Sequence, residues 1–162
     1  PADNVAEPTE PTPRRLPREF MGIPFGVSLE EVREATRDFN CISLEPDDVA
    51  GHDVLVCHDK VEPVSIGFFF KKDGTNLIFV GGLHSTYYSV PVMAEARYTN
   101  VLMQQLKKLG QPSESINEPG RVKSIWGDDI TVASLLLTID EEDNLVIYIA
   151  VTKEFWDLRF AM

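Results

Sequence analysis

PVMAEARYTNVLMQQLKKLGQP, residues 91–112, decides the fold. Pro91 suits a first helical turn, where its missing N–H would have no partner anyway. Val92, Ala96, Thr99, Met103 and Leu106 recur at helical spacing, with Leu102 and Leu109 beside them. Lys107 and Lys108 sit where the helix dipole favours cations, Gly110 takes the C′ position and Pro112 stands just beyond. The pattern predicts a helix over 91–109. On both sides of it the apolar period changes to that of strands.

Upstream, residues 64–70 and 77–83 read as two strands joined by KKDGTN, a hairpin turn carrying Asp73 and Gly74. Gly81 and Gly82 mark a bulge. Residues 52–58 alternate weakly, 41–44 form a shorter strand, and EPDDVAG between them is a loop. Before these, FMGIPFGVSLEEVREATRDF at 20–39 contains a helix start. Ser28 and Glu31 are spaced as a capping box, and Val27 and Val32 as a hydrophobic staple. Leu29, Val32, Ala35 and Phe39 continue the period, so a helix is expected over 29–39. Gly22, Pro24 and Gly26 read as the tight turn into that helix. They match neither G-x-G-x-x-G nor a P-loop with its lysine.

Downstream, strands are expected at 122–126, 130–139 and 145–151, with turns at 127–129 and 140–144. Thr152 is placed to cap a short aromatic helix at the C-terminus. The residues of 113–121, rich in Pro, Ser and Glu, read as a loop. The order is helix then strands, twice. Strands joined by tight turns are antiparallel. The fold class is therefore α+β, with helices packed on one face of an antiparallel sheet. The two halves, about 19–88 and 89–151, read as a degenerate duplication.

The 162 residues suit one domain with a real core, and 43% are apolar. Residues 1–18 hold five prolines and read as a disordered tail or linker, leaving 19–162 as the domain. Such tails follow a cleaved secretory signal or lead from a lipid anchor. A boundary inside a longer chain would look the same. The first reading places the domain outside the cytoplasm, as a periplasmic, outer-membrane-associated or secreted protein. A net charge of −11 argues against nucleic acid and anionic lipid, and favours a basic partner. No run approaches the roughly 18 apolar residues of a membrane span. Cys41 and Cys57 are a candidate disulfide, in keeping with an extracytoplasmic site; two buried free thiols are the other reading.

G-x-P-F-G-V-S-L-E-E-V at 22–32 resembles the helix start of small bacterial envelope proteins, and L-K-K-L-G-Q-P at 106–112, followed by a strand ending in Trp126, is similar to the second part of that pattern. Proteins of this kind resemble the β-lactamase-inhibitor-protein-like fold and the small lipoprotein of the outer-membrane barrel assembly machine. The resemblance implies helices on an antiparallel sheet and non-catalytic protein binding.

Chemistry is sparse. His52, Cys57, His58 and Asp59 are the densest set of metal-ligand types, but His52 and His58 would lie about 20 Å apart on a strand, and Cys57 faces away from His58. No metal or cofactor is expected. Cys57 with His84 would serve a thiol hydrolase only if the fold brought them together and no disulfide formed. Dispersed carboxylates leave a glycosidase open. Asp140, Glu141, Glu142 and Asp143 lack the EF-hand alternation and read as a hairpin tip. Phe68, Phe69 and Phe70 place rings on both faces of the sheet. The face away from the helices needs a cover: the C-terminal segment with Phe155, Trp156 and Phe160, a second copy, or a partner. The expected function is a protein-interaction module, with Phe69, Tyr87, Tyr88, Trp126 and Trp156 as candidate binding residues and a protein partner or homodimer on the sheet. Alternatives are a hydrolase, or a carrier holding an apolar ligand between sheet and helix.

Overall fold

The computed structural model describes residues 15–47, 52–58, 63–141 and 143–160. A small hairpin, β1 (Glu19–Phe20) and β2 (Ile23–Pro24), leads to α1 (Leu29–Ala35). Then come β3 (Asn40–Asp47), β4 (His52–His58), β5 (Val64–Asp73) and β6 (Asn76–Tyr88). The second half has α2 (Pro91–Leu109), β7 (Glu114–Glu118), β8 (Arg121–Gly127), β9 (Thr131–Ile139) and β10 (Asn144–Thr152), closed by α3 (Lys153–Arg159). The last eight strands form one antiparallel sheet in the order β3-β4-β5-β6-β10-β9-β8-β7. Each half is thus a helix followed by a four-stranded meander, and the final strands of the two halves, β6 and β10, pair at the centre.

Local chemistry sets the elements. Ser28 Oγ accepts the Glu31 amide at 3.2 Å, so the N-cap forms as expected. The reciprocal arm differs: Ser28 bridges to Ile78, and Gly26 and Val27 exchange backbone bonds with Phe79. The turn 22–26 is therefore stitched to β6. α1 stops at Ala35, four residues short of the expected 39. Thr36 turns its hydroxyl back to the Val32 carbonyl at 2.8 Å, and Phe39 packs from the following turn. α2 has the expected bounds, and Trp126 Nε1 donates to the Gly110 carbonyl at 2.9 Å where it ends.

Gly81 and Gly82 sit beside a register shift between β5 and β6. A Cβ on Gly81, at φ 130°, would meet the Ala150 carbonyl at 2.3 Å; one on Gly82 would meet the Phe20 ring at 2.3 Å. Both glycines are required by close approach. β7 forms within the segment expected as a loop, and only Ile116 of its five residues is even half-buried. It is an edge strand without an apolar period.

The core has three parts. Under α1, Val32 meets Leu55, Ile66, Phe68, Phe70 and Phe79. Under α2, Ala94, Tyr98 and Leu109 meet Trp126, Leu135 and Leu137 on the same sheet face. On the opposite face, Phe155 of α3 covers Phe69, Val80, Ile149 and Val151. The packed chain also takes in Leu16, which is buried, and Arg18, ahead of the position 19 expected for the domain start. Residues 1–14 of the expected tail lie outside the described residues.

Candidate functional site

The open sheet face is built by strand alternation. In β5, β9 and β10 the burial pattern changes along the strand. Residues 64–67, 135–138 and 144–147 alternate between buried and half-buried side chains. Residues 68–70, 131–135 and 149–151 are buried on both faces. The fully buried end is the one crossed by α3. Thr152 caps this helix by accepting the Phe155 amide at 3.2 Å, and the Phe155 ring lies 4.7 Å from Phe69, tilted, and 4.7 Å from His52, edge-on. Seven residues of helix cannot cover eight strands. Beyond it lie Leu83 and Ile147, half-buried against the edge of the α3 cluster, and Val56 and Leu136, also half-buried, with the small Gly67, Ser65 and Ser85 among them. Lys123 borders it, 5.3 Å from the Trp156 ring, with its pKa lowered by burial and by the neighbouring Arg121.

The five candidate binding residues do not form one surface. Phe69 is 5% exposed beneath α3, and Trp126 is 2% exposed under α2 on the opposite face. Trp156 is half-buried on α3 and borders the open area. Tyr87 is exposed and Tyr88 half-buried at the far end of β6, where they line a shallow hollow with Pro63 and Met93. The aliphatic residues of the open face were not singled out from the sequence. The alternation of β6 and β10 carries them, but strands without known neighbours do not say which face stays bare.

The remaining candidates for chemistry are dispersed. Cys41 and Cys57 lie directly opposite each other across β3 and β4 and are bonded. That bond removes Cys57 as a nucleophile. His52 meets Phe155 edge-on, and His58 ends the same strand; Asp59 lies outside the described residues. Among the described residues no group of three His, Cys, Asp or Glu could hold a metal. In the tip at 140–143, the Asp140 carboxylate accepts the Asp143 amide at 2.6 Å, and Glu142 lies outside the described residues. Among the described residues no helix is long and apolar enough to cross a membrane.

His84 faces the α2 side, directly opposite Tyr148 in the β6–β10 register. Both line a cleft of about 270 Å3 between α2 and the sheet. Burial and the charge of Glu19 push the Tyr148 phenol up to about 12, so it stays protonated as a donor. No protein-family model matches the chain, nor does any curated protein or solved structure. The geometry alone defines it: an α+β protein with an eight-stranded antiparallel sheet, one face under two helices and the other half open.

Proposed function

We propose that this protein is a non-catalytic interaction module that binds a protein partner on the open end of its sheet, in an oxidising compartment outside the cytoplasm. One observation carries the reading. Burial on the α3 side is complete at one end of the sheet and stops at the other, leaving Val56, Leu83, Ile147 and Leu136 half-exposed. Aliphatic side chains left half-buried where a cover stops support an interface reading. The chain's net charge of −11 favours a partner with a basic rim over a second copy, because two such copies repel. The Cys41–Cys57 bond is compatible with a periplasmic or cell-envelope setting.

The test is site-specific photo-crosslinking in the source cell, with the crosslinker at Leu83 or Ile147, and at exposed Met103 on α2 as the control. Discrete adducts to one protein from the two sheet positions, lost in Leu136→Asp, are expected. Adducts of twice the chain's own mass would replace the partner by a homodimer. Equal labelling from Met103, or none from the sheet, rejects the interface.

A further inference from the structure

The second concave feature lies on the covered face. α2 packs on β8 and β9 through Tyr98, Leu106 and Leu109. Its neighbouring stripe roofs the 270 Å3 cleft: Arg97 and Gln104 are exposed, Gln105 is half-buried, and Val101 packs on the core beneath the helix. The floor is Leu135, Val146 and Tyr148, with His84 and Thr86 from β6 alongside. This volume is just below the range of ordinary ligand pockets, which run from about 300 Å3 upward, and suits a small ligand.

Three features give the cleft a chemical character. Among the described residues its lining includes no Asp or Glu, in a chain with 26 acidic residues against 15 Lys and Arg. Arg97 makes no ion pair or hydrogen bond among the described residues, so one end of the cleft offers an uncommitted guanidinium. At the other end, the Gln105 side-chain oxygen is buried and has no hydrogen-bond partner among the described residues. A buried acceptor left unpaired is costly, and a donor brought by a ligand relieves it.

Arg97 and Gln105 are eight positions apart, so their Cα atoms are separated by about 12 Å of helix rise. Three extended residues span about 10 Å. Between the two ends, the hydroxyls of Thr86 and Tyr148 and the His84 ring offer polar contacts along an otherwise apolar floor. We infer that this cleft binds a short zwitterionic peptide of two or three residues, its carboxylate on Arg97 and its amino group toward Gln105. The site is separate from the open sheet face, so neither proposal depends on the other.

Calorimetric titration of the full chain with trialanine and Ala-Leu-Ala tests this. Saturable binding is expected, weakened at least about tenfold when the peptide's carboxylate is amidated or its amine acetylated, the cost of one charge-assisted bond. Arg97→Met should weaken the free acid to the level of the amide and leave the amide unchanged. Gln105→Met should abolish the preference for a free amine while raising the melting temperature of the unliganded protein, because it removes the unpaired oxygen. Neither peptide binding at 10 mM on the order of the weakest measurable Kd, acid and amide binding alike, or a folded Arg97→Met binding as the parent does, each overturns the inference.

Discussion

Asp128 gathers four donors: the amides of Leu16, Ile130 and Thr131, and the Arg18 guanidinium. Burial alone would raise its pKa, but the three amides and the arginine outweigh it and hold the carboxyl at about 2. The folded pKa is therefore below the ordinary 3.8. The clamp's contribution is complete above pH about 4 and lost as pH falls toward 2. Asp128→Asn should flatten the stability-versus-pH curve in that window and lower the melting temperature at pH 7. Chemical denaturation at pH 2.5, 4 and 7 reads this; an unchanged acid slope would remove Asp128 from the account. Only half of the clamp was legible. Asp128 in a Gly-Asp-Asp turn is a local signal, since its carboxylate bonds amides two and three residues on. Arg18 lies 110 residues away in a proline-rich segment, and no local pattern links them. Gln105 and Arg97 were hidden for the same reason. Each reads as an ordinary polar helix residue until the sheet lies opposite.

Elements with their own chemical boundaries were the readable ones. α2 has Pro91 at its start and two lysines, Gly110 and Pro112 at its end, and it forms over the expected span. α3 has Thr152, and it covers part of the second face in the way one of the three readings of that face required. α1 and β7 were misjudged where the period was weak and a neighbour decided. β3 depends on a cross-link as well as on pairing. It is an edge strand, paired among the described residues only with β4, and Cys41–Cys57 joins the two. The sequence separation is 16, for which loop closure contributes about 3 kcal/mol. Reduction should therefore lower the melting temperature by about 6–12 °C for a chain of this size. Amide exchange should rise first in β3, while β9 and β10 remain protected until global unfolding. If β3 and β10 lost protection together on reduction, the bond would be supporting the whole sheet rather than its edge.

On the scale of the whole molecule, the helix-then-strands order repeated along the chain becomes a nearly two-fold sheet, with β6 and β10 as the joining pair. The repeated element order was legible because each half carries its own helix signals and turn residues. How the halves dock was not, because it rests on the close approach at Gly81 and on one shared ring. Tyr148 packs against both core regions beneath α1 and α2. Ala150, from the second half, lies in the core of the first. Neither half therefore holds a complete core. Separated, each would expose the eight-residue register of β6 against β10 as a long open edge, together with the apolar side chains beside it. The whole chain should unfold in one cooperative transition. A chain cut in the link at Ser89 and Val90 should give fragments that are unfolded alone and regain the native sheet when mixed. Circular dichroism and heteronuclear NMR of residues 15–89, residues 90–162 and their equimolar mixture would test it. A native-like melting transition from either fragment by itself would make the halves independent domains, and the cleft beside Tyr148 would then be a contact between two domains rather than a feature of one.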